Sequence, residues 1–127
     1  MSRAVLPLDP YFSASKQAWC VQEIPEFKDA LRLGTTDAFY LDRLTGKFVT
    51  DVRTASRTSL MNLQTLQWDE ALCQLFGVPI DCLPEIGPTT GDFGGPRTPY
   101  GTVPVTASVV DQQAALYGFG CGGPGDE

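Results

Sequence analysis

Apolar and polar positions recur with helical spacing in four places along the chain. In the first, over residues 14–22, Ser13 reads as the N-cap, and Lys16, Trp19 and Cys20 fall three and four residues apart on one face before Pro25 closes the element. The second covers residues 38–44, opened by Asp37 as N-cap and ended by Thr45-Gly46. The clearest begins near Trp68 and stops at Gly77. Trp68, Leu72, Leu75 and Phe76 form its apolar stripe, and Asp69 and Glu70 suit its positive N-terminal end. The last runs from Gln112 to about Phe119.

Strand signals are shorter. Residues 31–36 read as a short strand running into a turn, and residues 47–51 as either a short edge strand or an extended link. The strongest β signal is the β-branched run 103–110, read as a buried strand that ends on a lone carboxylate, Asp111. Residues 54–60 are small and hydroxyl-rich, which suits a helical turn or an ordered loop. Pro79 and Pro84 bracket a turn, and the Gly- and Pro-dense stretch 87–101 predicts a surface loop or hairpin. The tail, residues 122–127, has no structural signal and is expected to be flexible. Strands alternating with helices give an α/β class. A complete α/β domain needs more strands than these, so residues 1–127 read as a single partial domain with an incomplete sheet and flanking helices.

Composition narrows the function. The 127 residues are enough for about one domain, and 43% hydrophobic content places the chain among folded proteins. No apolar run approaches the ~20 residues that span a bilayer, and no signal peptide is visible, so a cytoplasmic protein with no membrane partner is expected. A net charge of −6 argues against nucleic acid as a partner. Histidine is absent, which excludes Ser-His-Asp and Cys-His catalysis within this chain and any zinc site needing imidazole. Cys20, Cys73, Cys82 and Cys121 show no metal spacing and are expected to be small reduced core residues.

Two glycine-rich stretches invite a phosphate-binding reading. Gly91-Asp92-Phe93-Gly94-Gly95-Pro96-Arg97 lacks the Lys-Ser/Thr ending of a P-loop and precedes no helix, and no acid precedes Gly34-Thr35-Thr36. Both read as ordinary turns, so no complete ATP site is visible. Asp111 stands at a strand-to-helix junction, where it serves as a helix cap, as a functional acid, or as both. The roles are compatible, because N–H donors favour the ionised carboxylate that a base needs. Gln112 and Gln113 add amides that can hydrogen-bond a polyhydroxyl ligand. Tyr11 and Trp19 read as aromatic anchors beside the first helix or as core packing. Arg57 reads as an ion-pair residue with Asp51 as its natural partner.

Four separated stretches resemble one family. Asp9-Pro10-Tyr11-Phe12-Ser13-Ala14-Ser15-Lys16, with Trp19 three residues on, is similar to a Lys-x-x-Trp signature. Thr50-Asp51 followed by Thr54-Ala55-Ser56-Arg57-Thr58 is similar to a Thr-Asp...Asn-Ala-Ser-Arg-Thr element. Leu66-Gln67-Trp68-Asp69 and Leu83-Pro84-Glu85 match a Leu-x-Trp-Asp helix and the Leu-Pro-Glu after it. Asp111-Gln112-Gln113-Ala114-Ala115-Leu116-Tyr117-Gly118 is the fourth. The matches are collinear over about residues 6–122. The chain thus resembles the FGGY carbohydrate kinases, and its Pro-Tyr-Phe-Ser and Asp-Gln-Gln pieces look most like the glycerol kinase branch.

The resemblance implies the second half of an N-terminal, substrate-binding domain with the ribonuclease-H-like fold of the actin and hexokinase superfamily. It implies transfer of the ATP γ-phosphoryl group to a polyol or sugar hydroxyl, assisted by Mg²⁺. Asp111 matches the catalytic base, and Tyr11, Asp111 and Gln112 match residues that hold the acceptor hydroxyls. The family's Asp-x-Gly-Thr phosphate loop, its upstream Arg-Glu pair and its adenosine-binding domain have no counterpart here. ATP and Mg²⁺ are therefore expected of a complete enzyme, with neither bound tightly by this chain. Gln17, Cys20 and Thr54 depart from the family pattern. Thr102 stands where members that respond to fructose bisphosphate carry Arg, so such regulation is not expected. An inactive fragment with self-associating truncated faces is the first expectation. A binding or interaction module descended from such a kinase is the alternative.

Overall fold

Ser13 to Glu23 form helix α1 because Ala14 and Ala18, four residues apart, turn one small-residue stripe inward while Lys16 and Trp19 face out. Phe12 rather than Ser13 occupies the N-cap position, and Ser13 is the first helical residue. The computed structural model describes residues 6–27, 32–123 and 125. Leu31 and half of the 122–127 tail, Pro124, Asp126 and Glu127, lie outside the described residues, and with them part of the flexible-tail expectation and of the short strand expected at 31–36. Residues 32–35 are not a strand. They lead into helix α2, Thr36–Thr45, with the Leu33 N–H donating to Cys82 O at 2.7 Å.

Asp37 was expected to cap α2 but sits inside its first turn. There it accepts from the Thr35 hydroxyl and, at 2.5 Å, from Thr50 Oγ1 on the next strand. Gly46 ends α2 at φ 76°, a left-handed conformation that costs glycine little, and its N–H closes on Asp42 O at 2.8 Å. Strand β1, Val49–Asp51, follows, then the short helix α3, Val52–Ser56. A two-residue hairpin, β2 (Met61–Asn62) and β3 (Gln67–Trp68), leads to helix α4, Glu70–Phe76.

Helix α4 starts later than the apolar stripe predicted, because Trp68 belongs to β3 and Asp69 takes the N-cap, accepting from Leu72 N at 3.1 Å. Its buried face centres on Cys73, flanked by half-buried Leu72 and Phe76, whereas Leu75 is exposed. Gly77 ends it at φ 71°, as its position in the sequence predicts. The turn between Pro79 and Pro84 is a 3-10 turn at Ile80–Cys82. Strand β4, Glu85–Gly87, then pairs parallel with β1 in the register Val49↔Glu85, Thr50↔Ile86, Asp51↔Gly87. That parallel pair, with α3, the hairpin and α4 forming its crossover, is the α/β element of the chain.

The core lies between α1, α4 and the turn after it. Ala14, Ala18, Leu33, Leu60, Cys73 and Val78 form its centre, covered by Val21, Trp68, Phe76 and Ile80. Burial pushes the Cys73 thiol up to about 11, and the Asp69 carboxylate adds to the shift. Cys20, Cys82 and Cys121 are half-buried rather than core residues. Trp19 is 58% exposed, so it is neither a core residue nor a covered anchor here.

Beyond β4 the chain forms a long irregular hairpin. Its tip is β5 (Arg97–Thr98) against β6 (Gly101–Thr102), which answers the expected loop or hairpin at 87–101. The run 103–110 is extended, but it is not the buried strand expected. Pro104 has no N–H, and among the described residues the backbone of 103–108 pairs with the neighbouring 89–96 segment. Val103 and Val109 stay exposed as a result. Helix α5, Asp111–Gly118, closes the description, with none of its residues buried.

Candidate functional site

Asp111 is the first residue of α5, and Val110 is the N-cap. Its Oδ1 accepts from the Gln112 N–H at 2.8 Å, and its other oxygen bonds none of the described residues. The carboxylate is therefore not a helix cap of the usual kind, in which a side chain ahead of the helix accepts from its second or third residue. It stands exposed at the N-terminal end of α5, where the helix dipole favours an anion. The side-chain amide of Gln112 is likewise exposed and without a partner among the described residues.

Tyr11 sits on the other side of the chain's connectivity, just before α1. Its N–H donates to Asp9 Oδ1 at 2.7 Å, its ring meets Phe12 edge-on at 5.6 Å, and Lys16 Nζ reaches its carbonyl at 2.9 Å. The phenol is 71% exposed. No hydrogen bond or ring contact joins Tyr11 to α5 among the described residues.

A cleft of about 630 Å³ opens between α5 and the hairpin. Its walls include Arg53, Thr89, Val109, Gln113, Leu116 and Tyr117. Tyr11, Asp111 and Gln112 do not line it. This is the opposite face of α5 from the one the resemblance singles out.

The pairing expected between Arg57 and Asp51 does not form. Arg57 lies over the Phe12 ring, 5.3 Å from its centre, a cation–π contact that holds the start of α1. Asp51, fully buried, is instead the N-cap of α3. It accepts from Arg53 N at 3.0 Å, Thr54 N at 3.2 Å, the Thr54 hydroxyl, and Thr89 Oγ1 at 3.1 Å. Sequence reasoning missed this hub because a charged partner, Arg57, stood close in sequence. The available signal was the Asp-x-x-Thr spacing, in which Thr54 occupies the third helical position after a cap.

No group of three or more carboxylates or thiols among the described residues is arranged to hold a metal ion. The Gly91 N–H is committed to Thr106 O at 2.9 Å and the Gly94 N–H to Asp92 Oδ1 at 2.8 Å, so this stretch is hairpin rather than phosphate cradle. Gly34 makes room for its neighbours: a Cβ there would meet Ala38 Cβ at 3.1 Å and Phe48 at 3.3 Å. No helix among the described residues is long and apolar enough to cross a membrane.

Comparison with known proteins extends this picture. Residues 1–118 match the FGGY family of carbohydrate kinases, N-terminal domain. The glycerol kinase of Bdellovibrio bacteriovorus is 48% identical over 132 residues, covering 95% of this chain and 26% of that protein. A probable glycerol kinase of Caenorhabditis elegans is 43% identical, covering 91% of this chain and 24% of its own length. The chain thus spans about a quarter of the relatives it matches. Among solved structures, the glycerol kinase of Plasmodium falciparum with ADP superposes with a TM-score of 0.85 at 34% identity, over 92% of this chain and 25% of that one. A ligand-bound xylulose kinase from Lactobacillus acidophilus gives 0.79 at 26% identity, over 90% and 25%. The mixed helices and incomplete sheets are those of the ribonuclease-H-like, actin/hexokinase type of α/β fold.

Proposed function

Because the chain belongs to the FGGY family of carbohydrate kinases, we propose that it forms the acceptor side of a polyol kinase site, with a glycerol-like acceptor favoured. In this reading Asp111 is the general base. Its carboxylate accepts the proton of the acceptor hydroxyl as that oxygen becomes the nucleophile toward the γ-phosphoryl group of ATP. Tyr11 and Gln112 hold the remaining hydroxyls, the phenol and the amide serving as donor or acceptor as each hydroxyl requires.

The observation that carries the reading is the placement of Asp111. It heads a helix, is open to solvent, and keeps one carboxylate oxygen unengaged by the described residues. A hydroxyl donor can reach that oxygen without displacing a protein partner. ATP with Mg²⁺ supplies the phosphoryl group, and we assign its binding to parts of the complete enzyme outside this chain. Phosphoryl transfer depends on holding donor and acceptor in line, so the chain by itself is expected to be inactive.

The test is a chimaera in which this chain replaces the matching quarter of the B. bacteriovorus glycerol kinase. Phosphorylation of glycerol by the chimaera, and a fall in kcat of ~10²-fold or more in its Asp111→Asn variant, would support the assignment. A variant that keeps a near-normal rate would overturn it.

A further inference from the structure

The hairpin that leads to Asp111 carries buried Phe93 and a bond from Lys47 Nζ to Asp92 O at 3.3 Å in its first arm, and where its arms leave the sheet, nearest Asp111, it is tied to the core through one buried carboxylate. From residue 109 to residue 121 every hydrogen bond among the described residues is local. Gln112 N donates to Asp111, Ala114 N to Val110 O, Phe119 N to Ala115 O, and Cys121 N to Leu116 O. The last backbone bond that reaches back to the rest of the protein is Ser108 N–H to Thr89 O, at 2.9 Å. Thr89 in turn donates its hydroxyl to Asp51 Oδ2, at 3.1 Å. Asp51 is fully buried, pairs with Gly87 in the β1–β4 ladder, and is fixed by the first turn of α3.

Helix α5 has no fully buried residue, so burial contributes little to its position. Its N-terminus is set by where the preceding backbone is pinned. The neighbouring bridge, Thr90 to Ala107, and the bond from Gly91 N to Thr106 O are backbone contacts of the same hairpin. Those bonds align the two hairpin arms with each other. Among the hairpin's side-chain hydrogen bonds, the one from Thr89 aligns it with a buried group of the core.

We propose that Asp51, acting through Thr89, is a positioning residue for Asp111. The buried carboxylate fixes Thr89, Thr89 fixes Ser108, and Ser108 sets where the exposed carboxylate three residues later stands. The inference rests on the reading of Asp111 as the base, but its structural half can be tested without that reading.

Asp51 also caps α3, so Asp51→Ala risks unfolding the chain. Thr89→Val is the sharper variant, because it removes one hydroxyl at nearly constant shape, and Thr89→Ser restores the donor. In the 127-residue chain, Thr89→Val should speed amide exchange at Ser108 by about tenfold or more while leaving Leu60 and Cys73 protected, and Thr89→Ser should return it to the wild-type rate. In the chimaera, Thr89→Val should lower kcat by about 10-fold, within the ~10²-fold that a misplacement of about 1 Å can cost. The KM for ATP should stay unchanged, and Thr89→Ser should recover kcat. Unaltered exchange at Ser108 would overturn the coupling whatever Asp111 does. Unaltered kcat in Thr89→Val beside an inactive Asp111→Asn would overturn the positioning role and leave the base assignment standing.

Discussion

Leu60 and Phe119 are both large apolar side chains, yet the first has no exposed surface and the second is 87% exposed. The contrast divides the chain. Up to β4, α1, α4 and the turn after it share one apolar core, α2 and α3 bury Ala38, Leu41 and Ala55, and glycines end α2 and α4. After β4, Phe93 is the one buried apolar side chain among the described residues, most of the order comes from backbone hydrogen bonds between the two hairpin arms, and α5 projects with Leu116, Tyr117 and Phe119 uncovered. The first region is held mainly by burial and the second, Phe93 apart, by pairing. The residue with the strongest functional resemblance, Asp111, lies in the second.

That contrast predicts unequal responses to mutation. The largest should come from Leu60→Ala, which empties the centre of the core and should cost about 2–5 kcal/mol, read as a lower denaturant midpoint for the whole chain. Loss confined to the C-terminal hairpin would break the division proposed here. Gly95→Ala should act in the reverse sense, because a Cβ at Gly95 would overlap the Val103 carbonyl oxygen. A local cost of about 1–3 kcal/mol is expected, seen as faster amide exchange at Phe93 and Val105 with the Leu60 region unchanged.

A pH series sharpens the comparison further. The Cys73 thiol is raised by burial to about 11 in the folded chain, above its ordinary 9.0. The unfolded chain therefore releases this proton first. The stability that Cys73 contributes is complete below about pH 9 and falls as pH rises toward about 11. The denaturation midpoint should drop across that window, and the drop should be smaller in Cys73→Val. Equal drops in both proteins would contradict the assignment. The smallest effect on stability should be that of Tyr117→Ser, at 89% exposure within about 0.5 kcal/mol of wild type. Its visible consequence should be weaker self-association by sedimentation, since the residue belongs to an uncovered apolar surface. Sedimentation of the unmutated chain as a monomer at every concentration would remove that expectation.

Local signals account for what was legible in the sequence. Gly46 and Gly77 end their helices where the sequence predicts, because a left-handed C-terminal residue is a property of a few adjacent positions. The turn between Pro79 and Pro84, the hairpin within 87–101 and four of the five described α-helices were readable for the same reason. The errors arose where a partner was distant in sequence. Leu75 fits the helical stripe of α4 but finds no neighbour, while Cys73 does. Asp51 was paired with Arg57 by proximity, although its buried oxygens are filled by backbone N–H groups and by Thr89 from beyond the crossover. The run 103–110 has strand composition but lacks a covering layer, so it became an exposed ladder.

The sequence by itself determined the α/β class, the glycine ends of α2 and α4 and the family, because each depends on residue type at fixed spacing. Only the tertiary structure decided which apolar faces are covered and which carboxylate is buried. It also decided how Asp111 is anchored, through Thr89 and Ser108, because burial and long-range hydrogen bonds depend on which segments meet in space.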